Sequence, residues 1–204
     1  MKNADFRPSD FLKKDSGMSY GITRAEALEL VREHLENENL IKHSLASEAV
    51  LRALARRLGE DEEKWGLAGL LHDLDAESQP DLAMHTSETV RILTGRGVDG
   101  EIIDAIRMHN EKAHGDRRST PFHHALAAGE TITGLVIATA LVYPDRKLAS
   151  VKPKSVRKRF REKAFARGAD REIIRECEHL GLEVNEFCDL ALAALCDIAD
   201  ELGL

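Results

Sequence analysis

The 204-residue sequence has few aromatic residues, few cysteines and no long hydrophobic segment. Aromatic side chains make up 4% of the chain, whereas alanine, leucine, glutamate and arginine are frequent, which favours helices. The longest apolar stretch, residues 132–143, is too short to span a membrane. The polar N-terminus also lacks the hydrophobic segment of a signal peptide. These absences predict a cytoplasmic protein with no membrane partner.

The three cysteines lie near the C-terminus and lack the CxxC spacing of a structural zinc site. Cys188 and Cys196 share a predicted helix, where eight residues separate their Cα atoms by about 12 Å. That separation exceeds the roughly 7 Å reach of a disulfide. We therefore expect Cys177, Cys188 and Cys196 to be reduced, in a reducing compartment.

The net charge of −7 is unevenly distributed along the chain. Residues 146–167 contain ten lysines and arginines and one acid. The remainder contains 19 basic and 35 acidic residues, a formal charge of −16. This asymmetry indicates either an anionic ligand near the basic segment or a solvated basic helix face. The negative total and the scarcity of aromatic residues argue against sequence-specific nucleic-acid binding.

Capping signals and apolar periodicity predict an all-α chain, since no strand alternation is visible. A polar leader over residues 1–22 is expected to be loosely ordered, and residues 110–120 to form a loop. Helices are predicted from Thr23, over about residues 40–58, from Asp61 to the His72-Asp73 pair, over about 85–93, from Asp99 to 109, from Thr120 to about 143, from Ser155 to Ala164, from Asp170 to about 181, and through Phe187 to Leu202.

The most informative stretch is residues 65–75, an apolar run that ends in His72-Asp73 with Asp75 just beyond. Burying an imidazole and carboxylates at this point is costly unless partners or a metal satisfy them. Imidazole and carboxylate are the natural ligands of zinc, iron, manganese and similar divalent ions. A carboxylate that bridges two ions, with one histidine pair on each side, would use every candidate ligand: His43 and His72, His85 and His109, and Glu130.

The order of these residues resembles the HD-domain metal-dependent phosphohydrolase superfamily, and more closely a small group of uncharacterised HD-superfamily hydrolases. The resemblance covers roughly residues 24–204. A bare His-Asp dipeptide has no diagnostic value, but five phrases in a fixed order do. They are residues 39–49, 65–75, 108–110, 133–144 and 154–160.

The resemblance implies an HD-domain helical bundle with additional C-terminal helices, in one domain over residues 23–204. Its metal-site core is expected at about residues 39–143, and a basic connector with the C-terminal helices at 144–204. The implied cofactor is one or two divalent ions, with Fe, Mn, Zn, Mg, Ni and Co not distinguished. His43, His72 and Asp73 match the core ligands, His85 and His109 match those of a second ion, and Glu130 stands where the family has a final aspartate.

The function that the resemblance implies is hydrolysis of a phosphomonoester or phosphodiester through a metal-activated water. A nucleotide or another small phosphorylated metabolite is the expected substrate. Asp73 and Asp75 are candidate catalytic residues, although Asp75 could instead be a solvent-facing loop acid. Lys152, Lys154 and Lys158 are candidate substrate-binding residues, because a helix N-terminus with nearby lysines suits phosphate.

Several alternatives stay open from the sequence alone. Some proteins of the HD fold resemble this ligand set yet hold a di-iron centre that oxygenates a small molecule. The Glu130 departure also leaves a non-catalytic nucleotide-binding regulatory protein. Each histidine has a structural alternative, such as the favourable position of His109 at a helix C-terminus. Family members often associate, so a homo-oligomer is also open.

Overall fold

The computed structural model describes residues 20–79, 81 and 83–204, which contain helices and no β-strand. The predicted all-α class is confirmed. Residues 1–19 of the predicted polar leader, and Pro80, lie outside the described residues. The helices are α1 (Arg24–His34), α2 (Glu38–Leu58), α3 (Glu62–Leu71), α4 (Ser87–Gly95), α5 (Gly100–His109), α6 (Glu111–His114), α7 (Pro121–Leu141), α8 (Pro153–Arg161), α9 (Arg171–Ile174), α10 (Val184–Asp197) and α11 (Ala199–Leu202), with 3₁₀ turns at Leu148–Ser150 and Arg175–Leu180.

The predicted caps fix most helix starts. Thr23 forms both hydrogen bonds of a capping box at the start of α1. Asp61, Asp99 and Thr120 each accept a backbone N–H in the first turn of α3, α5 and α7. Gly59 ends α2 in the left-handed conformation, with φ 77°. These local signals therefore set where α3, α5 and α7 begin, which are three of the four helices that carry or end at predicted ligands.

Helix α2 is the centre of the domain and packs against α3, α7 and α10. Its closest approach to α3 is at Gly69, where a Cβ atom would lie 2.7 Å from the carbonyl oxygen of Ser47. Only a residue without a side chain allows this backbone approach. The absence of a side chain at Gly69 therefore allows α2, which carries His43, to pack this closely against α3, which ends at His72.

Helix α7 has the length and hydropathy of a membrane-spanning helix. However, 67% of its most apolar window is buried inside the domain. Ala128, Ile132 and Leu135 belong to the single hydrophobic core that α2, α3, α5 and α10 share with it. Its composition is therefore that of a core helix.

Two predicted boundaries in the middle of the chain were wrong. Helix α4 begins at Ser87 rather than His85, because Thr86 has a left-handed backbone with φ 78°. The predicted loop at residues 110–120 contains α6, one short turn that ends at Gly115. His85 therefore lies in the turn before a helix and not on it.

The predictions near the C-terminus also needed correction. Lys152, not Ser155, is the N-cap of α8, and α8 ends at Arg161, before Ala164. The Ser155 hydroxyl instead lies 2.7 Å from the Tyr143 hydroxyl just after α7. The last predicted helix is divided at Ile198 into α10 and α11, and the helix from Asp170 continues as a 3₁₀ turn.

The loop after α8 is organised by Arg171, which is 8% exposed. Its guanidinium donates only to backbone carbonyls within the described part of the chain. The acceptors are the carbonyl oxygens of Arg159, Phe160, Glu162, Phe165, Ala166 and Ala169.

The cysteines agree with the prediction. Cys177 and Cys188 are buried thiols, Cys196 is partly buried, and none of the three forms a disulfide. Burial raises the pKa of Cys177 and of Cys188 to about 12, which keeps both protonated and unreactive.

The close approach of α2 and α3 can be tested with Gly69→Ala. Because the added methyl group would meet backbone atoms of Ser47 and Glu48, we expect the free energy of unfolding to fall by about 1–3 kcal/mol. That loss lowers the melting temperature by about 2–4 °C per kcal/mol. Gly95→Ala is the matched control, since no atom lies within 4 Å of its Cβ position. Equal melting temperatures for the two variants would contradict the argument.

Candidate metal centre

All six predicted ligands lie close together at one point of the domain, although they come from five different segments. The contributing positions are an early turn of α2, the C-terminal end of α3, the turn before α4, the last residue of α5 and the middle of α7. In that order they supply His43, then His72 and Asp73, then His85, His109 and Glu130.

Asp73 is the centre of the cluster, because its two carboxylate oxygens face different histidine pairs. Oδ2 lies 3.5 Å from Nε2 of His72 and 3.8 Å from Nε2 of His43. Oδ1 lies 3.1 Å from Nε2 of His85 and 3.6 Å from Nε2 of His109. The cluster therefore has two halves that share one carboxylate, which is the arrangement that the sequence suggested.

Two of the histidines are fixed by hydrogen bonds on the ring nitrogen that points away from Asp73. His72 Nδ1 donates to the carbonyl oxygen of Gly69 at 2.8 Å. His43 Nδ1 donates at 3.0 Å to the Thr133 hydroxyl, which itself donates to the Glu130 carbonyl oxygen. Since the protons are on Nδ1, the Nε2 lone pairs face the cluster, as metal ligation requires.

Asp75 contacts the ring nitrogen of His85 that points away from Asp73. The predicted alternative, in which Asp75 is a solvent-facing loop acid, was wrong. Its side chain is 0% exposed, and Oδ1 lies 2.8 Å from Nδ1 of His85. Oδ2 accepts backbone N–H groups of Glu88 and Thr89 at the start of α4. Asp75 therefore contacts a ligand and a helix end, which is the geometry of a positioning residue.

Three buried side-chain atoms in and beside the cluster have no fully formed hydrogen bond among the described residues. They are Oδ1 of Asp73, Oδ1 of Asp75 and Nδ1 of His109, although the two carboxylate oxygens keep contacts of 3.1 and 2.8 Å with His85. Leaving such atoms without full hydrogen bonds is costly, and a bound cation would satisfy Oδ1 of Asp73. The ligand atoms of His43, His72 and Asp73 lie within 4.8 Å of one another, as do those of Asp73, His85 and His109. The residues therefore fit two divalent ions that share Asp73.

Glu130 lies beside both halves but belongs to neither close group. Oε2 is 3.7 Å from Nε2 of His43, and Oε1 is 3.7 Å from Nδ1 of His109. The Thr131 hydroxyl also donates to Oε1. The longer side chain thus reaches the position that the family resemblance assigns to an aspartate, and its ligand role stays a prediction.

The pKa values follow from burial and from the mutual charges of the cluster. Burial lowers the pKa of His43 to about 4 and that of His109 to about 3, with the neighbouring His72 contributing. Burial raises the pKa of Glu130 to about 8, and the charge of Asp73 adds to the increase. Burial also disfavours a charged His85, but Asp73 and Asp75 outweigh it and raise this pKa to about 10. At neutral pH, the imidazoles of His43 and His109 are therefore uncharged and can donate an electron pair to a metal ion.

The three lysines predicted to bind substrate lie away from this cluster. Helix α7 ends at Leu141, eleven residues and about 16 Å along the axis from Glu130. The α8 segment with Lys152, Lys154 and Lys158 contacts Tyr143 beyond that end. Their substrate-binding role stays a prediction, and it requires a substrate that extends over this distance.

Sequence reasoning missed the residues that support the ligands. Arg118 is one of them: it donates to the carbonyl oxygens of Met108 and His109 and pairs with Glu176 at 2.8 Å, which fixes the end of α5. Glu77 is another, and its carboxylate accepts two backbone N–H groups that precede α2. The Arg118–Glu176 and Glu77 contacts join residues 40 to 58 positions apart, and the Arg118 contacts with the end of α5 span 9 and 10 positions across a loop, so no local pattern marks them.

A model of the HD domain matches residues 40–202, about four fifths of the sequence. The chain belongs to the HD-domain family. The comparisons with curated proteins and with solved structures returned no match. Membership assigns the chain to a superfamily of metal-dependent hydrolases whose domains bind divalent metals, and the two His/Asp groups are where such ions would be held. The cytoplasmic location stays a prediction.

The positioning role of Asp75 can be tested with Asp75→Asn. The asparagine oxygen would remain with the N–H groups of Glu88 and Thr89, so its NH₂ would face His85 and force the proton onto Nε2. We expect divalent-metal affinity, measured by calorimetric titration, to fall about 10–100-fold. Asp116→Asn removes an exposed carboxylate outside the cluster and should leave affinity unchanged. An unaltered affinity in Asp75→Asn would contradict the assignment.

The two-half arrangement predicts two metal equivalents that respond separately to mutation. His109→Ala removes a ligand of one half only, and His43→Ala a ligand of the other, so each variant should keep about one equivalent. Metal content by plasma mass spectrometry measures this, and thermal melting confirms that the variants are folded. His34→Ala is the control, because His34 is an exposed histidine outside the cluster. Loss of all metal in either folded variant would show one indivisible site.

Proposed function

We propose that the HD-domain protein is a phosphohydrolase that cleaves a phosphomonoester or phosphodiester, with a nucleotide or small phosphorylated metabolite as substrate. The observation that supports this most strongly is the placement of Asp73 between two histidine pairs. In phosphoryl-transfer sites, two ions held a few ångströms apart act on the attacking and leaving oxygens. A single carboxylate with both oxygens engaged is suited to holding ions at such a spacing.

The charge of the site also supports an anionic substrate that binds only with a cation. Asp73 and Asp75 are carboxylates, Glu130 is protonated at neutral pH because its pKa is raised to about 8, and no lysine or arginine forms an ion pair with these acids among the described residues. Without a cation, the site therefore has no lysine or arginine to neutralise the charge of a phosphate ester. When bound, divalent metal supplies the charge that acidifies a water and neutralises phosphoryl oxygens. The metal ligands and the substrate site would then be the same residues.

The exposure of the ligands gives the site one open side. His72 has no exposed side-chain surface, whereas the His43 side chain is 24% exposed and Glu130 is 14% exposed. Water and substrate would therefore reach the cluster on the side of His43, which is the most exposed of the six residues, and His72 is its fully buried side. In this arrangement His72 holds an ion, whereas His43 and Glu130 also border the substrate.

The chain's own residues keep the site ready for this chemistry. The hydrogen bonds to Gly69 and Thr133 fix the imidazoles of His72 and His43 in the ligating tautomer, and the Asp75 contact fixes the ring orientation of His85, before any ion arrives. This preorganisation removes the reorientation that metal binding would otherwise require. It also aims three Nε2 atoms at one carboxylate, so the nucleophile and the phosphorus would meet in a defined place.

The proposal predicts phosphate release that depends on the cluster. Protein loaded separately with Mn²⁺, Co²⁺, Ni²⁺, Mg²⁺ or Fe²⁺ is incubated under anaerobic conditions with p-nitrophenyl phosphate, bis-p-nitrophenyl phosphate and a nucleotide panel. We expect turnover with at least one metal, and a decrease of at least about 10³-fold in the double variant His72→Ala/Asp73→Ala. His34→Ala should retain the rate of the unmodified protein.

Three other outcomes would contradict the proposal. Oxygen consumption by iron-loaded protein without phosphate release would indicate the oxygenase alternative. Stoichiometric nucleotide binding without turnover in every metal-loaded form would indicate a regulatory protein. Phosphate release that persists undiminished in the folded double variant would show that the reaction does not occur at this cluster.

A further inference from the structure

The basic segment forms a surface outside the metal cluster. In α8 the buried residues are Val156 and Phe160, one turn apart. Lys154, Lys158 and Arg161 are exposed and follow the spacing i, i+4 and i+7, so they form one stripe on the opposite face. Lys154 and Arg161 have no ion-pair partner in the part of the chain that the structure describes. The stripe is therefore largely uncompensated positive charge.

Exposed aliphatic side chains lie next to this stripe. Leu141 is 49% exposed and Val142 is 55% exposed, and both are at the C-terminal end of α7. A cavity of about 290 Å³ separates that end from α8, and Val142, Tyr143, Lys158 and Arg159 are among its lining residues. Val142 and Lys158 thus border the same cavity. We call the exposed residues of the two segments that meet there the α7–α8 face and define it as Leu141, Val142, Lys154, Lys158 and Arg161.

We propose that the α7–α8 face docks on the surface of an anionic phospholipid membrane, with Leu141 and Val142 entering the interface between headgroups and acyl chains. Lysine and arginine side chains are attracted to the negative surface potential of such membranes. Burial of the two aliphatic side chains removes apolar surface from water. The cavity between α7 and α8 offers space beside Lys158 for a headgroup phosphate.

The composition of the face favours a membrane over a nucleic acid. Protein surfaces that bind nucleic acid stack the bases on exposed aromatic side chains. Here Phe160 is buried, Phe165 packs beneath Arg159, and the exposed apolar residues are aliphatic. The remainder of the chain has a formal charge of −16 and would be repelled by an anionic surface. That repulsion orients the molecule with the α7–α8 face towards the membrane.

This docking is peripheral and differs from membrane spanning. The sequence-based prediction of no membrane partner depended on the absence of a spanning segment and of a signal peptide. Surface association needs neither, because a basic surface with a few inserted apolar side chains is sufficient for reversible binding. The proposal does not rest on the metal cluster, since none of its residues belongs to that cluster; Lys154 and Lys158 are shared with the predicted substrate-binding set, and vesicle binding is measured without substrate.

Flotation of the full chain with vesicles tests the proposal. Vesicles of phosphatidylcholine with about 30 mol% phosphatidylserine present the anionic surface, and pure phosphatidylcholine vesicles are the neutral comparison. We expect binding to the anionic vesicles only, weakening as salt is raised above about 0.15 M. No binding to anionic vesicles, or equal binding to both compositions, would overturn the proposal.

Two variants separate the basic and the apolar contributions. Lys154→Glu/Lys158→Glu should weaken binding by about 25-fold or more, because each basic residue near the surface contributes about fivefold. Leu141→Ser/Val142→Ser should weaken it by about tenfold, because the inserted apolar area is lost. Melting temperatures establish that both variants are folded.

A charge-matched control excludes an effect of net charge alone. Arg32→Glu/Arg117→Glu makes the same change in net charge at exposed positions outside the face. This variant should bind as tightly as the unmodified protein. Equal weakening in the control would overturn the proposal. Undiminished binding of Leu141→Ser/Val142→Ser would also overturn it and indicate a general affinity for polyanions.

Discussion

The domain depends on the burial of one carboxylate, Asp73, among four histidines. An unpaired charge in a core is destabilising, so the surrounding segments must bring compensating groups to it. Helices α3 and α5 end at this carboxylate, α2 passes it within its first turns, and the turn before α4 is held against it. The positions of these elements are therefore explained by electrostatics as much as by the hydrophobic core. Contacts with both Asp73 and Asp75 raise the pKa of His85, whereas burial and the neighbouring histidines lower that of His109 although Asp73 faces it too.

The parts of this arrangement that the sequence could predict are those with local signals. Asp61, Asp99 and Thr120 are side chains that cap the helix directly after them, so the starts of α3, α5 and α7 followed from short patterns. The predicted ligands His43, His72 and Asp73 were chosen from their order and from the family resemblance, and the structure brings their candidate ligand atoms within 4.8 Å of one another. Such information is contained within a few residues or in a motif.

The errors came from residues whose environment is set by distant parts of the chain. Thr86 has a left-handed backbone that threonine rarely adopts, so its position in a turn before α4 could not be inferred. An acid in a loop is normally solvated. Asp75 is buried because its two carboxylate oxygens contact His85 and the first backbone N–H groups of α4. Ser155 resembled an N-cap, but its hydroxyl is instead hydrogen-bonded to that of Tyr143, just after α7.

The loop after α8 shows a different kind of dependence, in which one side chain from outside determines a backbone path. Arg171 acts on this loop as a resident cation acts on a ring of carbonyl ligands: its charge is balanced by peptide dipoles rather than by an anion. Because the acceptors are main-chain oxygens, these hydrogen bonds constrain the backbone of the loop and not the identity of its side chains; Phe165, Ala166 and Ala169 are constrained instead by packing against the hydrophobic core. Substitutions at the exposed positions of the loop would therefore change the chemistry of the adjoining surface without removing any of the six Arg171 hydrogen bonds, whereas loss of Arg171 would remove all of them at once.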